Sequence, residues 1–288
     1  MSKVDIYQDV TNRIIDALEK GLDGSFELPW HGISQIPENA HTGKKYKGVN
    51  VPLLWVYQMY EGYQSGIWAT YKQWQEHGAQ VRKGEKSAHI VFWKMIKQEP
   101  AQDNEEKSMR MFAKWSRVFN ADQVDGFNPD DDFVPAEISS IECADAIIEG
   151  SGADIRHKEV KAFYCPSEDF INMPPALRFK DTADSTATEN YYSTMFHELT
   201  HWTGAKHRLD RFSIEQFSKS DYAFEELVAE LGAAMACAST GVTPLPRADH
   251  AKYIECWLKA LQDDKKFIFS AASQAQKAVD YLYSTLEA

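Results

Sequence analysis

His197, Glu198, Leu199, Thr200 and His201 set two imidazoles four positions apart, with a carboxylate directly after the first. On a helix, residues four apart share a face, so both rings can reach one metal ion and Glu198 sits beside it. In that pattern the histidines ligate zinc and the glutamate is the general base toward the water that the metal activates, which is the chemistry of a metallopeptidase. So short a string also arises by chance, and the surrounding elements must carry the argument.

The residues from Asn190 to Phe196 contain no proline or glycine. Met195, Leu199 and Trp202 fall at helical spacing, and Gly204 is placed to stop the helix. Downstream, the stretch from Glu225 to Leu231 opens a second helix with Glu226 and Glu230 on one face. A catalytic zinc keeps three protein ligands and one open position, so a third donor is required. Glu226 is the expected donor. Glu225, with Ala229 behind it, is one alternative. His207 is another, since Gly204 and His207 fit the spacing of an extended motif, although Lys206 and Arg208 flank it and no Met-turn follows. Glu230, one turn beyond Glu226, suits an outer carboxylate that holds the second ring nitrogen of a metal histidine. Gly232, Ala233, Ala234 and Ala236 keep this helix thin, which suits close packing on the motif helix. His157 and His250 are expected to be ordinary solvated or satisfied histidines.

With 288 residues, 43% of them hydrophobic, the chain is long enough for two domains with proper cores. No apolar run reaches membrane-spanning length, and the opening Met-Ser-Lys-Val-Asp leads into an amphipathic helix unlike a secretory signal. A cytoplasmic protein with no membrane partner is expected. Cys143, Cys165, Cys237 and Cys256 lack paired spacing and are expected to be reduced and mostly buried.

The net charge of −12 argues against a nucleic-acid partner only if it is spread evenly, and it is not. Between Ala40 and Lys97, nine basic residues face three acidic ones, a local balance of +6. Aromatics crowd the same stretch. Positive charge that tracks phosphates, interleaved with flat rings on which bases stack, is what sequence-tolerant binding of single strands requires. The candidate DNA-contacting residues are Lys44, Lys45, Lys47, Trp68, Tyr71, Lys72, Trp74, Arg82, Lys83 and Lys86. Many aromatics here must instead form the core of a small domain, Trp55 and Trp93 first among them.

Periodicity predicts helices near 4–21, 50–61 (capped by Asn50) and 72–77, with strands near 67–70, 79–82, 88–94 and 111–119. Residues 41–48 read as a turn-rich loop. Asn128 to Pro135 is acidic and breaks periodicity. The organisation expected is therefore α+β in two domains: an N-terminal domain over 1–126 with an antiparallel sheet, an acidic linker over 127–137, and a mostly helical domain over 138–288. The second domain should hold a helix near 138–149, strands near 163–165 and 170–173, the two helices above, and further helices near 247–262 and 264–284. The strand at 169–173 is the expected edge on which an extended substrate pairs.

Thr42 to Asn50, Trp68 to Trp74, Gly78 to Lys86 and Phe119 to Val124 resemble the N-terminal part of ArdC-type antirestriction proteins of mobile elements. Thr186 to Thr188 leading into His197 to Gly204, then Glu225 to Ala234 and Ser270 to Ser273, resemble their C-terminal part. The resemblance spans nearly the whole chain and is weakest over 98–110 and 127–137. It implies a single-stranded DNA-binding domain followed by a zincin-like metalloprotease domain, with protection of incoming plasmid DNA from restriction as the role. Carried onto this sequence, the ligands become His197, His201 and Glu226, and the base Glu198. One divalent ion is implied, zinc being the expected one, with single-stranded DNA and a protein substrate as partners. The competing expectation is a non-enzymatic DNA shield whose metal site is structural or vestigial. A structural site, however, normally uses four protein ligands and has no need of Glu198.

Overall fold

A computed structural model describes residues 5–22, 36–97, 109–127, 140–159, 161–179, 181, 185–211, 219–242 and 251–286. The expected acidic linker lies outside these residues except for Phe127, whose ring packs 4.8 Å from that of Trp74.

Helix α1 (Ile6–Leu22) buries Val10, Ile14, Ala17 and Leu18 along one face. The next segment, expected to be a loop, forms a short hairpin of β1 (Glu38–Asn39) and β2 (Lys44–Lys45), turned at Gly43 with φ 62°. Helix α2 (Asn50–Glu61) follows. Asn50 does not cap it, contrary to expectation. Its amide instead exchanges hydrogen bonds with the Val91 backbone, donating to the carbonyl at 2.9 Å and accepting from the N–H at 2.7 Å. Asn50 thus joins α2 to the sheet, satisfying both polar groups of a residue in a long strand.

Strand β3 (Ile67–Ala69) passes directly into α3 (Tyr71–Glu76), because Thr70 and Gln73 close a capping box around the first turn. Strand β4 (Gln80–Val81) pairs with β7 (Val124–Asp125), and the long strands β5 (Ala88–Lys97) and β6 (Met109–Asn120) pair with each other. The main sheet has order β2-β1-β3-β6-β5 and is antiparallel except between β1 and β3. Trp55 is fully buried as expected, but Trp93 is 37% exposed and Phe92 58%. They lie on the outer strand β5, where the Trp93 ring is covered in part by Tyr7 of α1 at 6.2 Å and by Phe269 near the C-terminal end of the chain at 6.5 Å.

The C-terminal part begins with α4 (Ser140–Ser151) and a small sheet of β8 (Asp154–Arg156), β9 (Phe163–Cys165) and β10 (Phe170–Asn172) in the order β8-β10-β9. This corrects the expected substrate edge. β10 is the central strand, paired parallel to β8 and antiparallel to β9, so neither of its sides is free. β8 carries a single apolar residue among Asp154, Ile155 and Arg156, too little patterning to mark a strand. Helices α5 (Ala187–Thr203), α6 (Lys219–Thr240), α7 (Ala251–Asp263) and α8 (Phe267–Ser284) complete the fold. The result is a two-domain α+β architecture. Its largest apolar cluster nevertheless runs from α1 and α2 through α5 to α8. Of the cysteines, all free, only Cys237 is fully buried, and Cys256 is exposed. Among the described residues no helix is long and apolar enough to cross a membrane.

Candidate metal centre

The site is built on α5, whose register is fixed from its first turn. Thr186 is extended, its hydroxyl accepts the Glu189 N–H at 3.2 Å, and the Glu189 carboxylate accepts the Thr186 N–H at 2.8 Å. With that register Met195, Phe196 and Leu199 enter the core, and His197 and Glu198 are buried with them. The neighbouring helix α6 comes unusually close. A Cβ built on Gly232 would stand 2.6 Å from both Cγ2 and Oγ1 of Thr200, so glycine is required for the approach. Thr200 itself donates to the Phe196 carbonyl at 2.8 Å, which keeps a polar side chain satisfied in the contact.

This approach brings Glu226 to the two histidines. His197 Nε2 and His201 Nε2 lie 3.1 Å apart, and the Glu226 carboxylate places one oxygen 3.6 Å from the first and the other 3.8 Å from the second. One ligand atom from each of the three lies within 4.8 Å of the others. Two nitrogens each about 2.0–2.1 Å from a shared tetrahedral ion would stand roughly 3.3 Å apart, close to what the two imidazoles display. Two imidazoles and one carboxylate form a donor set suited to zinc and acceptable to manganese, with a position left for water. Burial works to raise the Glu226 pKa. The His197 hydrogen bond, the charges of both histidines and a hydrogen bond from Tyr222 outweigh it and hold the pKa at about 2. The group is thus an anion across the physiological range.

The outer ring nitrogens also face carboxylates. Glu230 lies 3.8 Å from His197 Nδ1, on the side expected for it. Glu225, the alternative ligand, instead accepts from His201 Nδ1 at 3.2 Å. It is held there by Arg211, whose Nε and Nη2 donate to its two oxygens at 3.0 and 2.9 Å. Arg211 has no signal in the sequence, because an arginine in the irregular stretch after a motif helix obeys no spacing rule that would flag it. His207 points away from the centre toward Asp169, at 3.3 Å, with its side chain 63% exposed. The next residue, Arg208, is buried, stacks 3.8 Å over Trp202 and pairs with Asp169, which also accepts from the Tyr164 hydroxyl at 2.8 Å. Cys165 lies on β9 with its sulfur 3.4 Å from the Ser167 hydroxyl, outside the ligand cluster.

The residues expected to meet DNA divide. Trp68 and Trp74 are fully buried, and the Trp74 indole donates to the Phe119 carbonyl at 3.1 Å, so neither offers a face to a base. Rings of that size were needed to fill a small domain. Lys47 pairs with Asp280 of α8 at 3.2 Å, and Lys72 with Glu76 at 3.6 Å on its own helix. Lys44 and Lys45 are exposed on β2, the outermost strand, where lysines also discourage edge-to-edge association. Lys86 is exposed, and its carbonyl accepts from Gln123. Tyr71, Arg82 and Lys83 share one groove of about 540 Å³ with Phe119. There Tyr71 is 43% exposed.

Residues 4–119 match the family described as the N-terminal domain of anti-restriction factor ArdC, and residues 142–274 the family described as zincin-like metallopeptidase. The uncharacterized protein y4eC of Sinorhizobium fredii (strain NBRC 101917 / NGR234) is 42% identical over 289 residues, covering 97% of this chain and 92% of y4eC. The DNA primase TraC of Escherichia coli is 37% identical over 300 residues, which is 97% of this chain and only 27% of the primase. The metal-free crystal structure of ArdC from the R388 plasmid superposes with a TM-score of 0.84 at 42% identity, covering 99% of this chain and 98% of that one. Its Mn(II)-bound structure gives a TM-score of 0.80 at 40% identity, covering 98% of each chain. From the N-terminal match to the helix pair that carries the ligand cluster, this chain belongs to the ArdC family of antirestriction proteins, with a zincin-like metallopeptidase domain in its C-terminal part.

Proposed function

We propose that this protein is a metal-dependent peptidase joined to a single-stranded DNA-binding domain, and that it protects incoming plasmid DNA from restriction in the recipient cytoplasm. The observation that carries the reading is the convergence of His197, His201 and Glu226, with Glu198 buried beside them. A divalent ion held by these three, zinc by the chemistry of the donor set and with manganese as the precedent in R388 ArdC, supplies Lewis acidity toward a water and a scissile carbonyl. Glu198 accepts the proton of that water and returns it to the leaving amine nitrogen. Glu225 aims the His201 imidazole through its outer nitrogen at 3.2 Å, and Glu230 stands 3.8 Å from the outer nitrogen of His197, placed to do the same once that ring turns onto a metal. Strand β9 packs on α5 and, among the described residues, pairs on one side only, with β10, which offers its other edge to an extended peptide lying across the site.

We read the DNA-binding unit as residues 1–126 and the peptidase as 138–288, joined through 127–137. The groove beside Tyr71 supports single-strand binding through one exposed ring and the Lys83 ammonium. Arg82, in the same groove, is paired with Glu85 at 3.0 Å and with Asp125 at 3.6 Å, so a phosphate would have to compete with those carboxylates for it. Lys44, Lys45 and Lys86 are further exposed cations of the same domain.

The test compares the native protein with Glu198→Gln and Glu226→Ala. Metal content should fall sharply in Glu226→Ala and stay near native in Glu198→Gln. Native metal loading of Glu226→Ala would remove Glu226 from the ligand set. Plasmid transfer into restricting and non-restricting recipients then separates two mechanisms. Loss of protection in Glu198→Gln assigns it to hydrolysis. Retained protection assigns it to occupancy, since a single strand held by the N-terminal domain is no substrate for a duplex-cutting nuclease.

A further inference from the structure

The eight residues that follow α5, Gly204 to Arg211, end on a buried arginine that the hydrolytic scheme leaves without a task. Its side chain is 4% exposed and that of its partner Glu225 is 6%. An ion pair so deeply buried is costly to desolvate and persists only where its hydrogen bonds are well satisfied. Here they are. Two nitrogens of Arg211 grip the two oxygens of Glu225 at 3.0 and 2.9 Å, Nη1 donates to the Thr203 hydroxyl at 2.9 Å, and Nη2 also donates to the Thr200 carbonyl. The backbone N–H of Arg211 donates to the Gly204 carbonyl at 2.8 Å, closing the loop onto the end of α5. Arg211 therefore ties together the last turn of α5, the loop beyond it and the start of α6.

Glu225 and Glu226 are adjacent acidic residues, and on chemistry alone either could ligate a metal. We infer that Arg211 is a positioning residue that decides between them. By committing both oxygens of Glu225 to its guanidinium and to His201 Nδ1, it leaves Glu226 as the carboxylate turned toward the Nε2 atoms. It also dictates the His201 tautomer: a carboxylate fixed 3.2 Å from Nδ1 requires the proton on that nitrogen and leaves the Nε2 lone pair free to bind a metal. A lysine cannot reproduce this, because the grip depends on a planar fork that engages both oxygens at once.

This inference rests on the reading of His197, His201 and Glu226 as ligands, and its test is arranged so that the two can fail separately. In the metal-free full chain, nitrogen chemical shifts of ¹⁵N-labelled histidines should report the Nδ1–H tautomer for His201 in the native protein. A mixture of tautomers is expected in Arg211→Met and in the isosteric Glu225→Gln. An unchanged His201 tautomer in both variants would overturn the inference, whatever becomes of the ligand assignment. Zn(II) titration against a chromophoric chelator should give at least about tenfold weaker affinity in Arg211→Met and Glu225→Gln, with partial recovery in Arg211→Lys. Native affinity in the variants, accompanied only by a lowered melting temperature, would reduce Arg211 to a loop staple. Should Arg211→Met fail to fold, Glu225→Gln keeps the packing and carries both measurements. Glu226→Ala, run alongside, tests the ligand assignment alone.

Discussion

At the scale of single residues, the site depends on one hydrogen atom. Gly232 has no Cβ, and any larger residue there meets Thr200 at 2.6 Å. Gly232→Ala should destabilise the protein by about 1–3 kcal/mol through overpacking, read as a lower denaturation midpoint, and should weaken metal binding because α6 carries Glu226. Adding Thr200→Ala removes the two nearest atoms and should restore part of both losses. A neutral Gly232→Ala would mean that the helices separate without consequence. In the N-terminal part, Tyr71→Ala and Lys83→Ala should weaken single-strand binding, and Lys83→Ala should flatten the dependence of log affinity on log salt by about 0.7. Trp68→Ala and Trp74→Ala should instead cost about 3–5 kcal/mol of stability, since both rings are core. Spacing alone was enough to single out His197, Glu198 and His201 as candidates, because helical geometry maps sequence separation onto direction, but it left Glu226, Glu225 and His207 as competing third donors, of which the fold brings Glu226 to the two histidines. It could not separate buried tryptophans from an exposed tyrosine in the same aromatic run, since which face of a short strand or helix is covered depends on partners far away in the chain.

At the scale of elements, α5 was legible in the sequence from its apolar spacing and its closing glycine, and so were the strands β5 and β6, though not their pairing, and the thin helix α6. Thr186→Ala should cost about 1 kcal/mol and raise amide exchange in the first turn of α5. The small sheet was not legible in its order, and β10 was misplaced at the edge because β8 is too short and polar to read. The β9–β10 hairpin is anchored to the loop after α5 by Asp169. There the Arg208 hydrogen bond, working against partial burial, lowers the carboxyl pKa below its ordinary value. A lowered carboxyl pKa stabilises the folded state above the unfolded-state value, and that contribution fades as the pH falls through the folded-state one. Asp169→Asn should therefore lower stability at neutral pH, and by less at an acid pH below the lowered folded-state value. Hydrogen exchange in β9 should show the same trend, and an equal effect at both pH values would remove the ion pair from the account.

At the scale of the whole molecule, sequence patterning separated two domains but gave no sign of how they join. Helix α1 belongs to the N-terminal half of the chain yet packs on α7, with the Thr11 hydroxyl donating to the Lys265 carbonyl at 2.8 Å and Lys265 donating to Asp5 at 2.5 Å. Its apolar face lies in the same cluster as residues of α5 and α6. Contacts of this kind carry no local signature, because an amphipathic helix reads the same whichever neighbour covers it.

The shared α1 face ties the fate of one half to the chemistry of the other. If neither half can open without exposing side chains of its partner, the protein should melt in a single calorimetric transition. An ion that binds only the folded chain then stabilises the N-terminal half as much as the C-terminal half, by about 2.7 kcal/mol at a hundredfold excess over its dissociation constant. Amides of α2, which holds no candidate ligand, should exchange more slowly when metal is added, and independence of α2 from metal would show the halves to be uncoupled. The supply of divalent ions would then govern how long the N-terminal surface proposed to hold DNA survives proteolysis, making metal availability a clock for the proposed protection even where no bond is hydrolysed.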